Sequence, residues 1–578
     1  MTLRIVRRIP ADCALSLGGS LHPVLGRVYA ARGVRSAVEL DTSLERLLPV
    51  GTLEGITEAV ELLLRHRGGG RVLIVGDFDA DGATATALMV RALSACGFAS
   101  VDFLVPNRFH FGYGLTPEIV ALAATRSPTL IVTVDNGISS HAGVAAARAR
   151  GIEVLITDHH LPGAVLPEAN VIVNPNLTGS RFGSRTLAGV GVAFYVMAAV
   201  RRALAAAEPA SAARPGVATL LDLVALGTVA DVVPLDANNR VLIAQGLRRI
   251  RAGRCVPGIR ALLGLAGRSA ADLTAADLAF AVAPRLNAAG RLDDMSIGIR
   301  CLLADDDAAA ESLARRLDEL NQERRVIEAR MQQDALAALR HFDAAGAGRA
   351  ARSALCLFDE SWHQGVVGLV ASRVKDRVHR PVIAFASADA ALLRGSARSV
   401  AGIHIRDVLD AIAVRRPGLI GRFGGHAMAA GLTLERARLD EFARAFDEEV
   451  ARCAGGALDA DAVETDGELA LGEIALDTAQ ALRAGGPWGQ AFPEPSFDGL
   501  FSIHDVRVIG ERHLKMWVEV PRSGRTFDAI AFNHLADHGG VFAPPSGLAQ
   551  LVYRLEVNEY QGERRLQLLI DHLLPAAR

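Results

Sequence analysis

Arg71-Val-Leu-Ile-Val-Gly-Asp-Phe-Asp-Ala-Asp-Gly82 is the stretch whose reading decides the fold. Arg71 to Val75 reads as a buried strand, because its apolar run is too short for a core helix. Three alternating aspartates follow, and an alanine-rich segment through Leu93 has helical composition. Thr129-Leu-Ile-Val-Thr-Val134 repeats the plan and ends in Asp135-Asn-Gly. Val154-Leu-Ile-Thr157 repeats it again and ends in Asp158-His-His160. Short β-branched runs separated by helical segments predict βαβ units, with a parallel sheet covered on both faces. In an open parallel sheet, ligands collect beyond the carboxyl ends of the strands. The three strand ends therefore predict one cleft that gathers Asp77, Asp79, Asp81, Asp135, Asp158, His159 and His160.

Carboxylates brought together in this way repel one another unless cations lie between them. Oxygen ligands with one or two imidazoles favour manganese or magnesium over a structural zinc. A carboxylate shared between two ions would hold them about 3.5–4 Å apart, the separation used for in-line attack on phosphorus. Each piece also has a plainer reading. An isolated Asp-x-Asp turn is usually a capped loop, and an isolated His-His pair is usually surface. Placement of all three clusters at strand ends is what separates this chain from that reading.

The chain has 578 residues, too many for one core, and size alone predicts about three or four units. Apolar residues make up 50% and charged residues 22%, which argues against a mostly disordered chain. A net charge of −2 means that an acidic polymer must meet a local basic surface. The basic residues are nearly all arginine, with Lys375 and Lys515 the two lysines. Arginine suits bidentate phosphate contact, and GC-rich coding produces the same skew. Six scattered cysteines rule out a disulfide scaffold and a zinc spacing, and fit a reducing cytoplasm. The opening MTLRIVRRIP has no apolar signal core, and the uncharged run Leu187 to Val200 is too short for a membrane span.

Residues 1–50 are amphipathic pieces expected to pack on a catalytic lobe at 51–305. Helical sequence runs through Leu303, interrupted at Pro234 and Pro257. Leu313, Leu317, Leu320, Ile327 and Met331 then predict a long helix over about 308–341, a connector within 306–345. After the Ala/Gly/Arg-rich boundary at 344–352, Ala354–Phe358 and Pro381–Phe385 open a second α/β unit, 350–455. The segment 456–578 begins as a linker, and beyond Phe497 the pattern is all-β. Leu551, Tyr553, Leu555 and Val557 alternate with polar residues, a Gln561-Gly562 turn follows, and Leu566, Leu568 and Ile570 continue the hairpin. A small antiparallel barrel is expected there.

These motifs together resemble the DHH phosphoesterase superfamily. Gly76-Asp-Phe-Asp-Ala-Asp-Gly82, Val134-Asp-Asn-Gly137, Asp158-His-His160 and Gly227-Thr-Val-Ala-Asp-Val-Val-Pro234 are similar to its four signature motifs. Pro106-Asn-Arg108 with Gly112-Tyr-Gly114, Pro284-Arg-Leu-Asn-Ala-Ala-Gly-Arg291, Trp362-His-Gln-Gly365, Gly395-Ser-Ala-Arg-Ser399 and Gly424-Gly-His426 resemble its RecJ branch, the bacterial single-strand-specific exonucleases. The resemblance runs from about residue 50 to the C-terminus. It implies a DHH domain, a DHH-associated domain and a C-terminal OB-fold barrel. It also implies two Mn²⁺ or Mg²⁺ ions, degradation of single-stranded DNA from its 5′ end into mononucleotides, and a role in repair and recombination. A single-strand-binding protein and a repair helicase are the partners it suggests, in the cytoplasm and without a membrane.

Residue by residue, the resemblance makes Asp79, Asp81, Asp135, His159 and Asp231 metal ligands, with Asp135 bridging. Asp77 becomes a weaker or outer ligand, and His160 faces the phosphate or orients His159. Arg285, Asn287 and Arg291 become DNA contacts, while Arg108, Ser396 and Arg398 hold the 5′ phosphate and His426 the scissile one. Read without the resemblance, the arginines are equally surface residues and His426 a loop histidine. Trp362 with His363 could stack on a base or fill core. On the barrel, Lys515, Trp517, Tyr560 and Arg564 are candidates for strand contact, Trp517 being platform or core. The segment Gly485-Gly-Pro-Trp-Gly-Gln-Ala-Phe-Pro-Glu-Pro495 resembles the family's lead-in to the barrel. Two rival functions remain: a DHH hydrolase of pyrophosphate or short oligonucleotides, and a non-catalytic single-strand-binding scaffold. The all-β segment speaks against the first, and the complete set of expected carboxylates against the second. In the favoured reading, two α/β lobes joined by the long helix form the cleft.

Overall fold

A computed structural model describes residues 4–9, 21–107, 114–208, 215–344, 352–454, 462–510, 512–537, 547–560 and 562–575. The chain divides into two compact units: one of Arg4–Asn287, Asp294–Leu317 and Val463–Arg578, and a smaller one built mainly of Asp318–Ala462.

In the larger unit, five parallel strands lie in the order Ser100–Leu104, Arg71–Gly76, Leu130–Val134, Glu153–Thr157, Val171–Val173. The Leu130–Val134 strand is wholly buried, as its Ile/Val run requires. Leu73, Val75, Ile131, Val154 and Ile156 join Ile119, Val120 and Val144 in one core cluster. The helices Ala80–Ala95, Gly189–Ala207 and Leu221–Ala230 pack on one another. Strand order reverses between Arg71–Gly76 and Leu130–Val134, and such a reversal opens a crevice at the carboxyl edge.

Gly189–Ala207 corrects one expectation. It is 19 residues long and apolar enough to cross a membrane, so length does not exclude a span. Packing does: residues Gly189 to Met197 are buried throughout, against the neighbouring helices. Pro284 makes no turn. The chain stays helical, through a π-helical turn at Leu278–Val282 into Ala283–Leu292. Pro284 has no N–H to donate, and a widened turn accommodates that loss.

The barrel closes in the order Phe497–Ile509, His513–Glu519, Thr526–Ala531, Glu563–Pro575, Gly547–Tyr560. It is not purely antiparallel, because Thr526–Ala531 and Glu563–Pro575 run parallel. An odd ring of strands cannot alternate direction all the way round, so one pair must run the same way. A bulge at Val552/Tyr553 breaks the expected alternation and buries Leu551, Val552 and Tyr553 in succession. The N-terminal segment packs on the lead-in to this barrel as well as on the catalytic helices. Arg32 pairs with Asp466 at 2.7 Å and Tyr29 donates to Gly485 O, while Leu48 N donates to Asn238.

The connector helix is Asp307–Ala344. In the smaller unit a five-stranded sheet runs Arg422–Gly425, Ala429–Glu435, Leu392–Arg398, Val382–Ser387, Leu355–Phe358, antiparallel except for its last pair. Trp362 is core, packed with Val366, Val370 and Leu357.

Candidate metal centre and nucleic-acid contacts

Each predicted ligand of the cluster is placed by a chain feature. Asp79 caps the helix Ala80–Ala95, accepting from Gly82 N at 3.0 Å. Asp81, in the first turn, accepts from Gly189 N at 2.7 Å and Val190 N at 2.9 Å, at the N-terminus of the buried helix Gly189–Ala207. Asp135 follows its strand with φ 62°, a left-handed conformation that costs energy in a non-glycine residue. A Cβ on Gly189 would stand 2.6 Å from Asp135 Oδ1, so only glycine lets that helix approach. Asp231 is the C-cap of Leu221–Ala230, and Val232 beside it has φ 62°.

These side chains converge. Asp77, Asp79 and Asp135 form one group, Asp81, His159 and Asp231 a second, and Asp135, His159 and His160 a third, each with ligand atoms within 4.8 Å of one another. Asp77 thus stands with Asp79 and Asp135 rather than outside them. His159 Nε2 lies 3.1 Å from Asp135 Oδ1 and 3.5 Å from Asp231 Oδ2. Burial pushes the Asp135 carboxyl well up, and Asp81, Asp79, Asp231 and Asp77 push the same way. Burial and then Asp231 raise Asp81 to about 7; burial and then Asp79 raise Asp231 to about 7. Burial lowers His159, which favours the neutral imidazole that a metal needs. His159 Nε2 and Asp231 Oδ2 are buried without a hydrogen bond. A divalent cation relieves all of these at once, and the oxygen-rich donor set suits Mn²⁺ or Mg²⁺.

Among the described residues, Asp158 stands outside these groups, in keeping with a ligand set that leaves it out. It organises the loop. Its Oδ1 accepts from His159 N at 2.7 Å and His160 N at 3.1 Å and meets His160 Nδ1 at 2.7 Å, while Oδ2 accepts from Ile138 N at 2.9 Å. Burial opposes the Asp158 charge, but His160 outweighs it and holds the carboxyl at about 2. Burial likewise opposes protonation of His160, and Asp158 raises it to about 9.

Sequence reasoning missed three asparagines that fix the backbone. Asn136 Nδ2 donates to Val75 O and Val134 O, tying two strand ends together. Asn176 donates to His159 O at 2.6 Å and Asn174 to His160 O at 2.9 Å. The signal available was Asn174-Pro-Asn176 at the end of the fifth strand of the sheet, Val171–Val173. A fourth, Asn287, was expected to touch DNA; it accepts from Ala80 N at 2.8 Å and so positions the aspartate loop.

The basic candidates are placed less uniformly. Arg285 is 8% exposed and donates to Ala281 O, inside its own helix. Arg291 donates to Gly365 O at 3.1 Å. Arg398 donates to Ser396 Oγ at 3.0 Å, and both side chains crowd Gly368 near the start of the helix Val367–Val378. That pairing beside a helix N-terminus suits a phosphate. His426 is exposed, and its N–H donates to Ala429 O. On the barrel Trp517 is 46% exposed, so it is not core. Lys515 pairs with Asp528 at 2.7 Å, and Arg564 lies 3.4 Å from Glu559 and 3.6 Å from Asp272. Arg108 and the Tyr560 side chain lie outside the described residues.

Comparison with known proteins matches this architecture. The DHH family N-terminal domain covers residues 71–228, the DHHA1 domain 351–452 and the RecJ OB domain 465–572. The single-stranded-DNA-specific exonuclease RecJ of Dickeya dadantii is 54% identical, over 99% of each chain. The chain belongs to the RecJ family. A crystal structure of RecJ from Thermus thermophilus with Mn²⁺ superposes with a TM-score of 0.81 at 30% identity, covering 100% of this chain and 80% of that one. A second, with Mg²⁺, gives 0.75 at 29% identity, covering 100% and 79%. The RecJ domain set is thus the expected fold class: a parallel-sheet DHH domain, a DHH-associated domain and a closed barrel.

Proposed function

We propose that the chain is an exonuclease that hydrolyses single-stranded DNA from its 5′ end, releasing mononucleotides with the help of two Mn²⁺ or Mg²⁺ ions. The observation that carries this is the group of five aspartates and two histidines at the reversal of strand order. Asp79, Asp81, Asp135, His159 and Asp231, joined by Asp77, would hold the ions, which supply charge neutralisation on phosphate and an acidified water. Gly189 and Val190 N–H groups keep Asp81 oriented, and Asn287 keeps the aspartate loop in place. His160, kept protonated by Asp158, offers a cation to the phosphate. Ser396 and Arg398 would take the terminal 5′ phosphate, and Trp517 would stack on a base further along the strand. Chemistry of this kind needs no side-chain nucleophile.

We place the enzyme in the cytoplasm with the chromosome. A helicase that frees a 5′ end and a single-strand-binding protein that covers the strand are the partners this activity would meet. Digestion of end-labelled single- and double-stranded DNA, with and without Mn²⁺, tests the whole reading. Labelled 5′ mononucleotide should appear first, from single strands, and only with the metal. Equal digestion of duplex, or release in a chelator, refutes it.

A further inference from the structure

The lead-in Gly485–Gln490, which the catalytic reading leaves without a task, lines a cavity of about 690 Å³. This volume lies within the range of small-molecule sites. Its lining also contains Thr228, Val229, Ala230, Val232 and Val233, the residues around the ligand Asp231. Arg240, Arg248, Arg251 and Arg483 also line it. Each spends its donors on neutral acceptors: Arg240 on Leu235 O and Glu39 O, Arg248 on Thr42 Oγ1, Arg251 on Leu273 O, Arg483 on Asp272 O. None of the four pairs with a carboxylate among the described residues. Arg251 is pushed down by burial and then by Arg483, with Arg248 adding to it and Asp272 and Asp277 opposing, so three guanidinium groups share one place with two carboxylates nearby. Arg248, Arg251 and Arg483 stand in the last turns of their helices, where any one cation is favourable. That does not account for three sharing a cavity. Beside them the wall is apolar and open to solvent, with Phe280 77% exposed and Val232 63% exposed.

We propose that this cavity binds a free nucleoside 5′-monophosphate, with its phosphate on Arg251, Arg483 and Arg248 and its base against Phe280 and Val232. Converging guanidiniums suit the concentrated charge of a phosphate monoester, about −1.5 to −2 at neutral pH, better than the evenly spaced single charges of a strand. The exposed Phe280 ring suits a base, which stacks without regard to sequence. The ligand class is the one that the proposed hydrolysis releases, but the site stands on its own residues and is tested apart from that reaction.

Equilibrium dialysis of 5′-dAMP against the full chain with Mn²⁺ provides the test. Wild type should bind two nucleotides, one at the metal centre and one in the cavity. Arg251→Gln/Arg483→Gln should lose one while keeping Mn²⁺-dependent digestion of single strands unchanged. Asp135→Ala should lose the other and retain the arginine-dependent one, which separates failure of this site from failure of the metal centre. Inorganic phosphate and deoxyadenosine should each compete at least roughly 10-fold more weakly than 5′-dAMP, since each offers half of the contacts. A single nucleotide bound by wild type, or unchanged stoichiometry in the double arginine variant, overturns the proposal. Phosphate competing as well as 5′-dAMP reduces the cavity to an anion site and overturns it. A raised KM for DNA in the arginine variant overturns it too, by assigning the cavity to the strand.

Discussion

Asp158→Asn would separate the loop's electrostatics from its geometry. Asp158 Oδ1 lies 2.7 Å from His160 Nδ1, and the carboxylate is buried. Burial disfavours both charges, yet Asp158 sits at about 2 instead of 3.8 and His160 at about 9 instead of 6.5. The lowered carboxyl contributes stability that is full above its ordinary value and is lost as pH falls through about 2. The raised imidazole contributes stability that is full below its ordinary value and is lost as pH rises through about 9. The two windows overlap between about pH 4 and 6.5, where the pair stabilises most. At about 1.4 kcal/mol per unit, the shifts correspond to about 2 and 3 kcal/mol. They are two views of one interaction, so the coupling is about 2–3 kcal/mol rather than their sum.

A double-mutant cycle of Asp158→Asn and His160→Gln, followed by urea unfolding of the metal-free chain, reads this coupling directly. The cycle subtracts what the Asp158→Asn variant loses by presenting an amide to the Ile138 N–H. Coupling should be about 2–3 kcal/mol near pH 5.5 and close to zero above about pH 10. Asp158→Asn removes the largest influence that raises His160, so the imidazole should be protonated less and single-strand digestion should weaken even though every metal ligand remains. Coupling that is equal at both pH values, or that stays below about 0.5 kcal/mol at the lower one, refutes the ion pair.

Asp135→Asn should raise the metal-free melting temperature, because it removes the charge that burial and four carboxylates oppose. It should also abolish stabilisation by Mn²⁺ and cut nucleotide release by more than roughly 100-fold; a lower metal-free melting temperature contradicts the repulsion. Gly189→Ala drives a methyl to 2.6 Å from Asp135 Oδ1, so half-maximal activity should require about 10–100 times more Mn²⁺. A wild-type Mn²⁺ titration would show that the approach is not tight. Trp517→Ala should raise KM on long single strands by about 5- to 150-fold, the worth of one stacked base, and leave turnover of short oligonucleotides alone. If KM does not move, Trp517 is no platform.

The metal ligands were legible because strand-terminal placement is a topological fact that short β-branched runs announce. The order of strands then puts Asp77 and Asp135 on the two sides of the reversal. Asp231 had no such signal: the helix before it is buried nearly all round, so no periodicity marks a face. The asparagines were hidden because Asn is common in turns whether or not it holds a catalytic loop. Arginines were the least legible. Arg285 looks like a surface cation, but carbonyl oxygens satisfy a guanidinium as well as phosphates do, and residue type does not reveal which it faces. Trp517 was readable in principle, since Leu514, Met516 and Val518 are the inward set of its strand and alternation puts Trp517 outside. Trp362 offers no alternation, and the core around it settled its role.

The centre is stressed in two ways that share one cause. Asp135 and Val232 are both held at φ 62°, and the carboxylates beside them are buried at mutual cost. Neither strain would survive unless the surroundings over-determined it. They do: Asp81 is fixed by two backbone N–H groups, the histidine loop by Asp158, Asn174 and Asn176, and the aspartate loop by Asn287. The fold's own hydrogen bonds therefore help to position the ligands, unlike sites whose loops are ordered by their metal alone. Cation binding then goes into relieving repulsion rather than ordering chain, so it should strengthen the centre without reshaping it. Discrimination between Mn²⁺ and Mg²⁺ is left to donor chemistry, where His159 is the one ligand that a strict oxygen-seeking ion would not choose.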